Sequence, residues 1–271
     1  MEKKRILFIG AHPDDADILC GGMALKLAKA GHIVKFVSAT NGDTGHQSMS
    51  REETARVRKI EAVSSANYAG LYEYEVMDHP CGLEATVENR CKILRIIRRF
   101  APDVVISHRT CDYHPDHRAT AQLVQDCAYV CMVPHFCEDT PIPEVAPVFA
   151  LSYDAFQDPR PIRADAVVEY DSVLEDKIAM CAHHKSQFFE WLPWTMGNKT
   201  VLETGMTEEE KRNSILSILS RFERAANNAR QRLIEVYGED KGSKIRYAEI
   251  FEQSPYSRVV PLDEFQKLLE P

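Results

Sequence analysis

Two clusters of histidine and aspartate are the residues of this 271-residue chain whose types and spacing could do chemistry. They occupy residues 12–15 (HPDD) and residues 112–117 (DYHPDH). Two imidazoles and one carboxylate, with a position left open for water, are the ligand type of catalytic zinc. The metal lowers the pKa of its water, while a spare carboxylate can take a proton and a spare histidine can stabilise an oxyanion or protonate a leaving amine. Together the clusters predict metal-dependent hydrolysis.

Each cluster also has a plainer interpretation as a helix cap. Asp14 or Asp15 could cap the helix that follows, and Asp116 the next one, because acidic side chains are favoured at the positive end of a helix. Position favours the metal site instead. The clusters follow apolar strand patterns at residues 6–11 and 103–107, which are neighbours at the ligand-binding switch point of a doubly wound sheet of order 3-2-1-4-5.

The elements that must position the clusters alternate between strand and helix. Apolar runs predict strands at residues 6–11, 34–40, 74–77 and 103–107, and helical spacing predicts helices at 18–30, 51–68, 87–100 and about 117–131. Such βα units imply a Rossmann-like α/β fold, a mostly parallel sheet with helices on both faces. Strands near 148–153 and 166–170, a helix near 172–184, a long polar helix from about 207 and a strand-like run at 245–251 follow. We predict a Rossmann-like domain at residues 1–200 and a C-terminal helical and strand extension at 201–271, packing on it.

Composition and motifs argue against several other classes. The first βα turn reads GAHPDD rather than GxGxxG, and its carboxylates would repel a nucleotide phosphate. A formal net charge of −8 disfavours nucleic acid and anionic membranes. We find no signal-peptide pattern or membrane-span window, and the eight cysteines show no CxxC pair. We therefore predict a cytoplasmic protein with a small-molecule partner, no nucleic-acid or membrane partner, and leave homo-oligomer formation open.

At these motifs the sequence resembles the PIG-L/LmbE-like family of zinc-dependent N-acetylglucosaminyl de-N-acetylases. The resemblance covers roughly residues 5–190 and rests on residues 11–15 (AHPDD), followed by Gly21-Gly22, and on residues 114–117 (HPDH). Weaker echoes are residues 40–43 (TNGD), the pair Arg58 and Glu61 with Gly70 after it, and residues 182–187 (AHHKSQ).

The resemblance implies a role for each residue of the two main motifs. Three residues would hold the metal: His12, Asp15 and His117. Asp14 would be the general base. His114 would be the cationic partner of the tetrahedral intermediate, oriented or charge-tuned by Asp116. The implied metal is Zn²⁺, with Fe²⁺ or another divalent ion as the alternative.

The predicted substrate contacts lie where the chain departs most from the family. Arg58 matches an arginine that resembles a substrate-hydroxyl contact, and the alternative is an i,i+3 helix-surface pair with Glu61. Residues 16–17 (AD) stand where relatives carry a glutamate, and residues 80–82 (PCG) replace Pro-Asp-Gly. Asp78, just upstream, is our candidate for the missing sugar contact.

The activity implied by the resemblance is hydrolysis of the N-acetyl group of an N-acetylglucosamine-type sugar or conjugate, which releases acetate and a free amine. Family members act on inositol lipids, low-molecular-weight thiol conjugates, chitooligosaccharides and antibiotic sugars, and the lack of a membrane segment disfavours the lipid. Three alternatives stay open: an amidase on a thiol-sugar conjugate, a non-catalytic metal-binding module, and an Fe(II) oxygenase, which also uses two histidines and a carboxylate.

Overall fold

The computed structural model describes residues 3–199 and 205–271. Within them, seven strands form one sheet in the order β3-β2-β1-β4-β5-β7-β6. The strands are β1 (Arg5–Gly10), β2 (Ile33–Ser38), β3 (Glu73–Val76), β4 (Val104–Ser107), β5 (Val148–Ser152), β6 (Ala166–Glu169) and β7 (Ala248–Gln253). The strands β1 to β5 run parallel, and β7 runs antiparallel to β5 and β6. The predicted order 3-2-1-4-5 and the mostly parallel sheet are confirmed.

Four helices follow the first four strands: α1 (Asp15–Lys29), α2 (Arg51–Ala69), α3 (Val87–Phe100) and α4 (Pro115–Val130). Beyond β6 lie a 3₁₀ turn (Asp171–Val173), α5 (Leu174–Ala182), a π-helix (Ser186–Trp191) and α6 (Leu192–Thr195). The C-terminal part contains α7 (Glu208–Leu219), α8 (Arg221–Asn228), α9 (Arg230–Tyr237), α10 (Glu239–Gly242) and α11 (Leu262–Leu269).

The strand β1 reads as a continuous apolar run because helices cover both of its faces. Ile6 and Phe8 pack into one hydrophobic cluster, which contains side chains of α1 and α2. Leu7 and Ile9 pack into a second cluster, with side chains of α3 and α4. These four side chains are fully buried, so the end of β1, and with it the start of the turn that follows, is fixed by packing on both faces.

The single long helix predicted from about residue 207 is wrong. The chain forms α7 to α10 there, because Ala229 leaves the helical conformation (φ −100°, ψ 18°) and Gly238 adopts a φ of 79°, which favours glycine. The strand-like run at 245–251 becomes β7, inserted between β5 and β6. Its fully buried Glu249 accepts hydrogen bonds from the backbone of α1 and from Lys177, so this C-terminal strand is tied to the first helix of the sheet.

Candidate metal centre and active site

The turns that follow β1 and β4 open at the same edge of the sheet, because the two strands are parallel neighbours in which Ile9 pairs with Ser107. His12 lies in the first turn, and His114 and His117 lie at the start of α4. The ring of His12 is 4.5 Å from that of His114 and 5.2 Å from that of His117, measured between centroids. The structure therefore brings the two sequence clusters into one site.

The three predicted ligands face one another at the spacing of metal donors. His117 Nε2 lies 3.3 Å from His12 Nδ1 and 3.4 Å from Asp15 Oδ1, and His12 Nδ1 lies 3.6 Å from Asp15 Oδ2. Tetrahedral zinc with bonds of about 2.0–2.1 Å places its donors about 3.4 Å apart. The backbone N–H groups of Ala11 and His12 donate to Asp15 Oδ2, which leaves Oδ1 toward His117. Among the described residues, the groups whose donor atoms all lie within 4.8 Å of one another are His12, His114 and His117; His12, Cys81 and Asp116; and Asp15, His108 and His117. The cluster can therefore hold a metal ion, and the predicted set of His12, Asp15 and His117 stays a prediction.

His108, which we did not predict, belongs to the same site. Its Nε2 lies 3.2 Å from Asp15 Oδ2, and its ring stacks on His117 with 4.2 Å between centroids. Asp15, His108 and His117 each bring a donor atom within 4.8 Å of the other two. Burial and the neighbouring His117 lower the pKa of His108. The sequence could have predicted His108 from its place directly after β4, because this strand ends beside β1 and the residue that follows it must lie near the first cluster.

Two carboxylates contact the outer nitrogens of the ligand rings. Asp112 Oδ2 lies 3.2 Å from His117 Nδ1, and Asp116 Oδ2 lies 3.3 Å from His12 Nε2. A carboxylate on the second nitrogen of a metal-binding histidine fixes its tautomer and its ring orientation. Both predicted imidazole ligands therefore have the partner that such ligands need.

The side chain of Asp116 contacts His12 and not His114, so this carboxylate does not orient His114 by a direct hydrogen bond. The reason lies in the loop after β3, where Gly82 and Leu83 N–H groups donate to Asp116 Oδ1 at 3.0 and 2.8 Å and hold it beside His12. Burial raises the pKa of Asp116, but His12 and these two N–H groups outweigh it and lower the pKa to about 2. The carboxylate is a fixed anion of the site. Its charge does raise the pKa of His114, and the charge tuning implied by the resemblance stays a prediction.

His114, and not Asp116, caps α4. Its Nδ1 accepts the Asp116 N–H at 3.1 Å, so the neutral ring carries its proton on Nε2. Burial, and then the neighbouring His12 and His117, lower the pKa of His114 to about 4. This lowered pKa favours an uncharged His114 in the free protein near neutral pH, and the cationic role toward the tetrahedral intermediate stays a prediction. An uncharged imidazole can still donate its Nε2–H to an oxyanion.

Asp14 is held by Arg58 and does not cap α1. Its side chain makes no cap hydrogen bond, whereas its Oδ1 lies 2.9 Å from Arg58 Nη2. The two side chains are only 9% and 4% exposed. Arg58 Nη1 also donates to the Gly42 carbonyl, and a Cβ at Gly42 would lie 2.4 Å from that nitrogen. The glycine of the TNGD motif thus leaves room for the arginine.

The alternative of a surface pair between Arg58 and Glu61 is wrong, because both residues are buried. Glu61 accepts hydrogen bonds from the backbone N–H and the hydroxyl of Ser186, at 2.8 and 2.6 Å. Gln187, the next residue, donates to the Gly45 carbonyl at 3.0 Å. The AHHKSQ motif therefore fastens the π-helix to α2 and to the loop after β2.

A cavity of about 530 Å³ contains these groups. One part of its lining is polar and includes His12, Asp14, Arg58, His114 and His117. Another part is apolar and consists of Phe156, Trp191, Leu192, Met196 and Ile218. The metal donors therefore lie in a recess with room for a small ligand, bounded in part by apolar side chains.

Residues 7–128 match the family model described as PIG-L: GlcNAc-PI de-N-acetylase. The chain contains a PIG-L family domain. The matched segment includes all eight residues to which we assigned site roles. The PIG-L domain therefore carries the donor set, the Asp14–Arg58 pair and His114.

Known proteins of similar sequence are deacetylases by name. The chain is 28% identical to diacetylchitobiose deacetylase of Thermococcus kodakarensis over 206 residues, which cover 73% of this chain and 76% of the relative. It is 29% identical to 1D-myo-inositol 2-acetamido-2-deoxy-alpha-D-glucopyranoside deacetylase of Thermomonospora curvata over 144 residues, 42% of this chain and 48% of that protein. The solved N,N'-diacetylchitobiose deacetylase from Pyrococcus horikoshii has the same fold, with a TM-score of 0.72, 22% identity and coverage of 94% and 85%.

Two departures from the family pattern, Asp17 and Cys81, and the candidate sugar contact Asp78 have different surroundings. The shortened acidic residue Asp17 is fully buried, accepts a hydrogen bond from Ser65 and lies 3.1 Å from His184 Nε2. Cys81 lines the cavity, and hydrogen bonding to His12 and Thr44 lowers the pKa of its thiol although burial raises it. Asp78 is exposed and is not part of the cavity lining, so its sugar contact stays a prediction.

Among residues 3–199 and 205–271, no helix combines the length and the apolar character needed to cross a membrane.

Proposed function

We propose that this protein is a metal-dependent hydrolase, with zinc as its metal, that removes the acetyl group from the nitrogen of an N-acetylglucosamine-type sugar or conjugate. The observation that carries the proposal is the convergence of His12, Asp15 and His117 at donor spacing, with Asp14 and His114 in the same cavity. The names of the relatives, which act on acetylated amino sugars, support the substrate class.

Three residues would hold the metal: His12 through Nδ1, Asp15 through Oδ1, and His117 through Nε2. The fit rests on their separations and on the carboxylates that face the outer ring nitrogens. When bound, zinc supplies Lewis acidity, which polarises an acyl oxygen and activates water near neutral pH. Fe²⁺ or another divalent ion accepts the same donor types, so the native metal has to be measured.

Asp14 would accept the proton of the attacking water. Arg58 Nη2 lies 2.9 Å from Asp14 Oδ1 and so orients the carboxylate, which lines the cavity. A carboxylate in that position can take a proton from a water molecule bound beside it. Arg58 would therefore act mainly by positioning Asp14. Because Arg58 also lines the cavity, its contact with a sugar hydroxyl stays a prediction.

His114 would donate a hydrogen bond to the acyl oxygen as negative charge develops on it. Its Nδ1 is occupied by the Asp116 N–H, so the donor is Nε2. Such donors stabilise the transition state more than the ground state, which is what accelerates amide cleavage. Asp112 and Asp116 would act through the rings of His117 and His12, by holding them in the orientation that presents Nε2 and Nδ1.

The test is release of free amine from a panel of N-acetylated sugars and conjugates by the metal-free protein, before and after addition of zinc. We expect activity only with metal, about one zinc per chain, and loss of both metal and activity in His117→Ala. The matched control is His135→Ala, which removes a side chain that is 90% exposed and not part of the site. Full activity in the metal-free protein, or full zinc retention by His117→Ala, would refute the proposal.

A further inference from the structure

Two arginines of α8 line the cavity that contains the metal donors. Arg221 and Arg224 are three residues apart, so they lie on one face of the helix. The other face buries Phe222, Ala225 and Ala226 in the cluster that also covers β7. Packing of α8 on the inserted strand thus fixes which side chains point away from the core, and these two are exposed.

The other charged groups of the cavity wall already have partners. Arg58 pairs with Asp14, and Arg109 Nη1 lies 2.8 Å from Asp154 Oδ1. Within residues 3–199 and 205–271, neither Arg221 nor Arg224 has a carboxylate at ion-pair distance, and Arg221 donates a hydrogen bond from Nε to the Ile218 carbonyl. Arg221 and Arg224 therefore place two guanidinium groups without an ion-pair partner among the described residues on the α8 side of the cavity wall, on a chain with a formal net charge of −8.

The surroundings of the two arginines suit a ligand larger than a monosaccharide. Both are close enough to Tyr153 to lower the pKa of its hydroxyl, although burial raises that pKa overall, and Arg221 acts in the same way on Tyr113. Arg224 also lines a second cavity of about 630 Å³, which shares Tyr153 and Phe156 with the first. The recess therefore continues from the metal donors past the arginines.

We propose that Arg221 and Arg224 bind an anionic group, a carboxylate or a phosphate, on the aglycone of the N-acetylated sugar. The inference rests on the proposed function and narrows its substrate class to acidic conjugates. A guanidinium presents paired N–H donors that match the oxygens of either anion, and two of them can hold one group from two sides. Tyr113 and Tyr153 would add hydroxyl donors. The neutral acetamido end would then lie at the metal donors.

The experiment uses matched glycosides that differ only in charge: 4-carboxyphenyl 2-acetamido-2-deoxy-D-glucopyranoside and its methyl ester, each as both anomers. Binding to the metal-free protein is measured by calorimetry, so hydrolysis does not interfere. We expect the acid to bind about tenfold more tightly than the ester, which corresponds to about 1.4 kcal/mol. Added salt should weaken binding of the acid and leave the ester unaffected. The affinity of a 4-phosphonophenyl glycoside is compared with that of the carboxylic acid, and the tighter ligand identifies which of the two anions the site prefers.

The Arg221→Gln/Arg224→Gln protein should bind acid and ester equally. The control is Arg56→Gln/Arg99→Gln, which removes the same charge from two exposed arginines that do not line the cavity and should keep the tenfold preference. Equal binding of acid and ester by the unaltered protein, absence of binding by both, or a preference that survives in the α8 variant would overturn the inference.

Amine release by the zinc-loaded protein separates this outcome from failure of the proposed function. If the ester is hydrolysed and the acid has no advantage in binding, the deacetylase proposal stands and the anion site fails. If the acid binds more tightly and neither amide is cleaved, the anion site stands and the deacetylase proposal fails.

Discussion

Replacement of Asp14 by asparagine separates catalysis from metal binding at one residue. The amide keeps the size of the carboxylate but cannot accept a proton near neutral pH, and loss of a general base typically lowers the rate by about 10²–10⁴-fold. We expect that loss with unchanged zinc content, because the donor set contains Asp15 and not Asp14. Asp15→Asn should instead weaken zinc retention, since an amide oxygen is a poorer ligand than a carboxylate.

The structure adds a second consequence, a loss of stability. Asp14 and Arg58 are 9% and 4% exposed, so the substitution leaves a buried guanidinium without its anion. Removing one partner of a buried pair costs about 3–5 kcal/mol, and the amide oxygen keeps one hydrogen bond, which offsets part of this. We therefore expect a loss of about 2–3 kcal/mol in the free energy of unfolding and a melting temperature lower by about 5–10 °C.

A double-mutant cycle with Arg58→Met tells the two effects apart. Arg58→Met already removes the ion pair, so in that variant Asp14→Asn should cause no further loss of stability. The substitution should still lower the rate, because it removes the general base. The measurements are zinc content, thermal unfolding and amine release, with the exposed Asp263→Asn as the control. The reasoning is refuted if Asp14→Asn stays fully active, and the two roles are reversed if it loses zinc while Asp15→Asn keeps both zinc and rate.

Three further outcomes follow from groups in and around the site. Burial lowers the pKa of His117, but Asp15 and Asp112 outweigh it and raise the pKa to about 9 in the metal-free protein. Zinc binding at pH 7 should therefore release about one proton or more, because the bound ring must be neutral. Calorimetry in buffers of different ionisation enthalpy measures this release, and its absence would contradict the prediction. The pKa of Asp116 is lowered from 3.8 to about 2, so its carboxylate stabilises the fold above its ordinary pKa and loses that effect as the pH falls through 2. Between pH 4 and pH 2 the free energy of unfolding should therefore fall by about 2 kcal/mol less in Asp116→Asn than in the unaltered protein. The same fall in both proteins would count against this. Finally, the buried Arg98 donates to the carbonyls of Val130, Cys131 and Val133, so Arg98→Met should cost about 3 kcal/mol in urea unfolding, more than the exposed Arg99→Met.

The sheet and the convergence of the two His/Asp clusters were predictable because both depend on short stretches of chain. Apolar runs of a few residues define β1 and β4, and the donors come within ten residues of the end of each strand. The rule that ligands bind where neighbouring parallel strands reverse their order then joins the two stretches. No knowledge of distant packing was needed for His12, Asp15 or His117.

The partners of those donors could not be predicted in the same way, because they depend on packing between distant segments. Arg58 reaches Asp14 from the middle of α2, and its spacing to Glu61 in sequence suggested a surface pair. The side chain of Asp116 lies beside His12 because two N–H groups of a loop 33 and 34 residues away donate hydrogen bonds to it there. Helical periodicity does not distinguish a buried charge from an exposed one when its partner lies on another element.

Substrate recognition depends still more on the end of the chain. The family match at residues 7–128 includes the metal donors, Asp14, Arg58 and His114, but it ends before β5. The apolar wall of the cavity and two of its arginines, Arg221 and Arg224, come from residues 153–224. The helix α8 reaches the cavity by packing on β7, a strand inserted between β5 and β6. The residues proposed for hydrolysis and those proposed for recognition of the aglycone thus lie in different parts of the sequence. A chain can keep the hydrolytic residues of the first part while helices of the second part change the group that the substrate carries. A relative with the same two motifs and no arginines on the helix equivalent to α8 should therefore bind the acid and the neutral ester equally, like the Arg221→Gln/Arg224→Gln variant.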